Sequence, residues 1–258
     1  MKHVTIIGPG NLGIALATGM QKNGYVVTLK CKDEQQVIEK QQQFPECTFT
    51  EINEDATSDA HVIIFAVQPK DLEETIADMD GHIWEEHIII SVVAGITINS
   101  IKKFLRLPNP HIYRAMPNTA SAIGQSMTAI STGTKQKYVQ ELFKSIGSVV
   151  CIDELQFPQF TVLSGSGVAI ALKFIRAYMQ AGIQAGFNEH TSLELAREVL
   201  IGAGNLVREK QQHPEVLIDA VTTPNGCTIT TLLEMDSRGF TSSLVNAIEK
   251  GISKAKLL

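Results

Sequence analysis

The chain has 258 residues, of which 44% are hydrophobic and 19% charged, with a net charge of −5. That length suits two modest domains, the apolar share is too high for a disordered chain, and the acidic balance argues against nucleic acid or an anionic membrane as a partner. Cys31, Cys47, Cys151 and Cys227 are scattered without paired spacing, so they read as reduced thiols rather than a disulfide frame or a zinc site.

The opening MKHVTIIGPGNLG holds too short an apolar run for a signal peptide, and no stretch is expected to reach the roughly 18 apolar residues of a membrane span. A cytoplasmic protein with no membrane partner is the expectation. From residue 2 to about 152, short β-branched runs alternate with amphipathic segments, the pattern of βαβ units and a mainly parallel sheet. Strands are expected near 4–7, 26–29, 61–66, 88–93, 112–115, 127–130 and 149–152, with helices in the gaps. Beyond Asp153 the runs 157–187, 192–212 and 242–257 carry a period near 3.6 and no convincing strand. Pro158 suits a first helical turn, and Gly165, Gly167, Gly182 and Gly186 inside helical sequence call for a reason such as close helix packing.

The first expected strand runs into Gly8-Pro9-Gly10-Asn11-Leu12-Gly13, which opens an amphipathic helix. This is the GxGxxG fingerprint in its proper setting. Gly8 allows the tight turn, Gly10 lets a pyrophosphate approach, Gly13 lets helix and strand pack closely, and Asn11 and Leu12 bring free amides. Residues 1–153 therefore read as a Rossmann-type NAD(P)-binding domain of the α/β class, and residues 154–258 as an all-helical dimerisation and substrate domain. An NAD-selecting site places an acid at the end of the second strand. Here that strand ends in Lys30-Cys31-Lys32, so a 2′-phosphate and NADP(H) are favoured over NAD(H), which stays open. The alternative for Lys30 and Lys32 is solvated surface charge, and for Asp33 a helix N-cap. At the next strand ends Val67, Gln68 and Pro69, then Ala94 and Gly95, stand where a Rossmann sheet meets its cofactor.

The chain resembles the pyrroline-5-carboxylate reductase family over nearly its whole length. The resemblance rests on Ala66 to Pro69 (AVQP), Ser91 to Ile96 (SVVAGI), Arg114 to Thr119 (RAMPNT), Ser164 to Gly167 (SGSG), His213-Pro214 and Val221 to Ile229 (VTTPNGCTI). It implies reduction of the cyclic imine 1-pyrroline-5-carboxylate to L-proline, the last step of proline biosynthesis, with NADPH or NADH as donor. It also implies a homodimer through the helical domain, often assembled further into rings. It places Asn53, Pro117 and Asn118 by the cofactor and Glu154 near the substrate. The turn Asn225-Gly226-Cys227-Thr228 would hold the substrate carboxylate on backbone amides, with Thr228 adding a hydroxyl hydrogen bond.

A protonated imine needs no general acid, and no catalytic triad order or HExxH motif is present in the sequence; His82 and His87 read as exposed turn residues. The chain departs from the family's usual residues at Gln68 (Lys), Val168 to Ile170 (Pro-Ala-Tyr), Asn225 (Gly) and Cys227 (Thr or Ala). Two other readings stay open. One is a related imine or 2-hydroxyacid dehydrogenase using Lys173 as a base; the other is a paralogue that binds NADP(H) without turnover.

Overall fold

The computed structural model describes residues 3–131 and 136–257. The chain divides into two compact units, Met1–Val168 with Gly251–Leu258 and Ala169–Lys250. The first unit is built on strands β1 (His3–Ile7), β2 (Val26–Lys30), β3 (Thr48–Thr50), β4 (Val62–Phe65), β5 (Ile88–Ser91), β6 (His111–Met116), β7 (Ser126–Ser131) and β8 (Gly147–Ile152). They form one sheet in the order β3-β2-β1-β4-β5-β6-β7-β8, in which β6 and β7 are antiparallel and every other neighbouring pair is parallel.

The apolar runs Val62 to Phe65 and Ile88 to Ile90 make sense in a sheet covered on both faces, where a strand has no side to leave polar. Alternate residues divide between the two sides. Val4, Ile6, Val62, Ile64 and Ile90 join Leu16 and Met20 of helix α1 (Asn11–Lys22) in one core. Ile7, Ile63, Phe65 and Ile89 join Leu72 and Ile76 of α4 (Leu72–Asp78) and Ile101 and Leu105 of α5 (Ile98–Leu105) in the other. Between β1 and β4 the strand order reverses, and Ile7 stands level with both Lys30 and Phe65. This switch point is where the Gly8 turn leaves the sheet. Helices α2 (Glu34–Gln43), α3 (Asn53–Thr57), α6 (Gln136–Lys144) and α7 (Phe157–Phe160) complete this unit with the start of α8 (Gly167–Gln184) and the end of α12 (Phe240–Ala255).

Seven of the strands stand where expected to within a few residues. The edge strand β3 was not expected, because three residues with Phe49 alone buried cannot display an alternation. The run 157–187 is not one regular helix: α7 is followed by a π-helical turn at Thr161–Gly165 and then α8. Contrary to expectation, the helical run Glu154–Gln184 is long and apolar enough to cross a bilayer, an 18-residue stretch within it reaching a mean hydropathy of 1.4. Lys173 and Arg176 break the count of consecutive apolar residues without lowering that average enough to matter. His87 is also corrected. It is buried, its ring stacks on Trp84 at 5.2 Å, and its Nδ1 accepts the Trp84 backbone N–H at 3.0 Å. All four cysteines are free, Cys31 and Cys47 buried and Cys151 and Cys227 exposed.

The second unit holds most of α8 and α12 with α9 (Glu189–Lys210), α10 (Pro214–Ala220) and α11 (Cys227–Ser237), and no strand among the described residues. Gly182 supplies the close packing that its place in a helix called for. A Cβ there would lie 2.8 Å from the Ser192 hydroxyl, so α8 and α9 approach too closely for any side chain. Ser192 and Ala196 are buried in this unit, whereas Leu172, Tyr178, Ile183, Val199, Ile201 and Leu206 remain exposed.

Candidate functional site

Gly8 takes φ +106°, a left-handed backbone that side chains resist, and a Cβ on it would meet the Ala66 carbonyl at 2.8 Å. A Cβ on Gly13 would strike the Gly8 carbonyl, so helix and turn pack as expected of the fingerprint's last glycine. Gly10 differs from both. It is the exposed N-cap of α1, its backbone is extended, and a Cβ there would touch nothing within 4 Å. No side chain caps this helix, so its first N–H groups, on Asn11, Leu12 and Gly13, have no intrahelical acceptor and face the position an anion would take. A dinucleotide pyrophosphate fits this cradle.

The turn opens on a cavity of about 870 Å³ whose walls include Gly8, Gly10, Lys30, Lys32, Val67 and Gln68. Both lysines arrive with carboxylate partners. Lys30, only 5% exposed, donates to the Cys31 carbonyl at 3.1 Å and lies 3.5 Å from Asp78. Lys32, 76% exposed, lies 3.5 Å from Asp33. Asp33 is the N-cap of α2, accepting the Gln36 N–H at 2.8 Å. Burial pushes the Cys31 thiol up to about 11, which keeps it protonated beside the cavity at neutral pH. Pro69 stands apart from the walls, opening a short 3₁₀ turn at Pro69–Asp71.

Ala94 and Gly95 line a second cavity of about 510 Å³, together with Thr97, Asn99, Arg114 and Glu154. One Glu154 carboxylate oxygen accepts the Ile98 N–H at 2.8 Å, capping α5, and the Arg114 guanidinium at 3.3 Å. Arg114 is buried, lies 4.5 Å over the Phe157 ring, and its Nε has no partner among the described residues. Burial lowers its pKa and Glu154 works in the opposite direction. Arg114 belongs to the RAMPNT stretch but was not expected at the site. Its mid-strand position made it read as sheet rather than as wall.

Seven expected cofactor residues line neither cavity: Asn11, Leu12 and Gly13 in the first turn of α1, Pro69, and Asn53, Pro117 and Asn118. Asn53 donates to the Asp78 carbonyl at 2.7 Å, and its Oδ1 is buried without a partner among the described residues. Pro117 and Asn118 are buried. Asn118 clasps its surroundings, accepting the Ala120 N–H at 3.1 Å and donating to the Ser164 hydroxyl at 3.1 Å. In the second unit Gly226 is the N-cap of α11, again with no side-chain cap and no acid in the first turn. Its own N–H is taken by the Thr223 carbonyl at 3.0 Å, which leaves Cys227 and Thr228 as the nearest free donors at this helix end. Cys227 is exposed and Thr228 half-buried. Lys173 is exposed on α8.

Comparison with known proteins bears on both units. A family model described as pyrroline-5-carboxylate reductase dimerisation matches residues 154–258, and one described as NADP oxidoreductase, coenzyme F420-dependent, matches residues 3–95. The chain is 31% identical to the pyrroline-5-carboxylate reductase of Aquifex aeolicus over 99% of its own length and 97% of that protein. The chain belongs to the pyrroline-5-carboxylate reductase family. It is 34% identical to pyrroline-5-carboxylate reductase 1 of Dictyostelium discoideum, of which it spans about half, 49%. The fold matches the crystal structure of Plasmodium falciparum pyrroline carboxylate reductase with NADP bound, at a TM-score of 0.88 and 22% identity over 99% of this chain and 97% of that one.

The departures from the pyrroline-5-carboxylate reductase pattern have definite places. Asn225, where the family usually carries glycine, has φ +57°, a left-handed conformation that asparagine tolerates better than other side chains. The turn survives the substitution for that reason. Gln68 is exposed at the N-cap of its 3₁₀ turn.

Proposed function

We propose that this protein reduces 1-pyrroline-5-carboxylate to L-proline, the closing step of proline biosynthesis, with NADPH or NADH as the donor. The observation that carries the reading is the uncapped, Gly10-opened N-terminus of α1 beside a dinucleotide-sized cavity, in a chain of this family. When bound, the reduced nicotinamide supplies a hydride. The protonated imine carbon accepts it, the C=N π pair collapses onto a nitrogen that already bears its proton, and a secondary amine results. The protein's work is therefore positioning rather than proton transfer.

Gly8, Gly10, Asn11, Leu12 and Gly13 are assigned to the pyrophosphate, Lys30 and Lys32 to the 2′ position of the ribose, Val67, Gln68, Ala94 and Gly95 to the strand-end walls, and Pro69 to the turn that follows Gln68. Asn53 holds the Asp78 carbonyl at the edge of the first cavity, and Pro117 and Asn118 are assigned to the cofactor on the family resemblance. The amides of Cys227 and Thr228 hold the substrate carboxylate in the turn formed with Asn225 and Gly226, the Thr228 hydroxyl adds one hydrogen bond, and Glu154 orients the ring. Residues 1–153 form the nucleotide domain and 154–258 the dimerisation domain. The dimerisation match supports reading the apolar run Glu154–Gln184 as subunit interface rather than membrane span, in a cytoplasmic homodimer able to assemble into rings.

The test is direct. Purified protein is mixed with NADPH or NADH and 1-pyrroline-5-carboxylate, and reduced-nicotinamide absorbance is followed while proline is measured. Stoichiometric proline formation supports the reading; nucleotide binding without oxidation by this imine or its six-membered analogue sinks it.

A further inference from the structure

We propose that Asp78 sets how strongly this protein discriminates NADPH from NADH, by holding the Lys30 ammonium that a 2′-phosphate would otherwise take. The inference rests on the nucleotide reading above and goes beyond it, because Asp78 belongs to none of the fingerprint turns. In a Rossmann domain the end of the second strand reads the 2′ position of the adenine ribose. That end is Lys30 here, and Lys30 lines the cavity.

A buried ammonium without a counter-charge would be a strong phosphate ligand. This one has its counter-charge already, in an Asp78 carboxylate 3.5 Å away that lines the same cavity and is itself 64% exposed, so that solvent screens part of the pairing. Asp78 ends α4, where the partial negative charge of the helix disfavours a carboxylate, so nothing in its own helix explains an acid there. Its backbone is anchored, since the Asn53 side chain donates to the Asp78 carbonyl at 2.7 Å. Asp71 and Glu74 also line the cavity, so acids outnumber the two lysines on its walls. A 2′-phosphate entering this site displaces the Asp78 carboxylate from Lys30 and meets its repulsion, whereas a 2′-hydroxyl meets neither cost. Lys32 does not offset this, because it is largely exposed and itself lies beside Asp33.

The full-length protein and three variants, Asp78→Asn, Lys30→Ala and the double variant, are titrated calorimetrically with two probes, 2′,5′-ADP and 5′-AMP, and with NADP⁺ and NAD⁺. Asp78→Asn should tighten 2′,5′-ADP and NADP⁺ by about fivefold or more and leave 5′-AMP and NAD⁺ within twofold. In the Lys30→Ala background the same change should gain less than twofold, since the ammonium it releases is gone. Asp33→Asn serves as the control: asparagine still caps α2, so it should shift the ratio by less than Asp78→Asn. Equal changes for both probes, no change, or an equal gain without Lys30 would overturn the proposal while leaving the nucleotide reading intact. A protein that binds neither dinucleotide would overturn both.

Discussion

One oxygen of Glu154 serves two donors, the Arg114 guanidinium at 3.3 Å and the Ile98 amide at 2.8 Å, and so ties β6 to the start of α5. Arg114 is 4% exposed and has no other ion-pair partner among the described residues. Glu154→Ala leaves that cation buried beside Phe157 and takes the acceptor from the Ile98 N–H, while the Thr97 cap of α5 remains. It should cost about 1–3 kcal/mol by urea denaturation, below the value for a wholly buried pair because Glu154 is 31% exposed. Glu154→Gln keeps a neutral acceptor for both donors and should cost less. Equal losses for the two variants would show that the carboxylate charge, and not the hydrogen-bond acceptor, carries this contact.

Gly10 and Gly13 should fail differently on substitution. Gly10→Val puts a side chain into open space, so the variant should fold with an unchanged melting temperature while losing affinity for NADP⁺ and NAD⁺. Gly13→Val drives a side chain into the Gly8 carbonyl and should lower the melting temperature as well. Undiminished nucleotide affinity in folded Gly10→Val would remove the pyrophosphate from this turn.

The alternation of β-branched runs made most of the sheet legible, because a strand buried on both faces writes its whole length in apolar residues, as Val62 to Phe65 do. The fingerprint glycines were legible because each needs a different absence of a side chain. What the sequence hid were relations between distant segments. Nothing around Lys30 announces Asp78, nothing around Arg114 announces Glu154, and the buried place of His87 depends on Trp84 folding back over it. The amide expected from Gly226 was misjudged for a local reason: the turn itself consumes it on the Thr223 carbonyl.

His87 predicts a pH dependence of stability. Burial lowers its pKa below the ordinary 6.5, opposed by a hydrogen bond to the Thr57 backbone and by nearby Glu86, with His61 adding to the lowering. As pH falls from 6.5 toward the folded pKa, the unfolded chain takes up a proton that the folded chain refuses, so stability present above 6.5 is lost. Urea midpoints at pH 7 and pH 5 should show this loss. His87→Asn, whose carbonyl can still accept the Trp84 N–H, should flatten the profile; an unchanged slope would assign it to other groups.

The exposed apolar residues of α8 and α9 predict a homodimer. Leu172, Tyr178, Val199, Ile201 and Leu206 stand uncovered in a unit that buries little of its own surface. Light scattering should give a dimer mass or a multiple of it at micromolar concentration, and Leu172→Lys with Ile201→Glu should shift it toward monomer. A wild-type monomer at that concentration would contradict the assignment.

Thr228 carries the prediction on which the substrate site depends. Standing second in α11, it has both an amide that no residue within the helix accepts and a hydroxyl at the same helix end. If the hydroxyl makes one hydrogen bond to bound substrate, Thr228→Ala should reduce transition-state stabilisation by roughly 1 to 3 kcal/mol, about 5- to 150-fold in kcat/KM. NADPH affinity should not change. The loss should also stop short of inactivity, because the backbone amides of Cys227 and Thr228 survive the substitution and a protonated imine requires no acid from the protein. Weaker NADPH binding in this variant would place Thr228 at the nucleotide instead, and unaltered kinetics would move the carboxylate site away from α11.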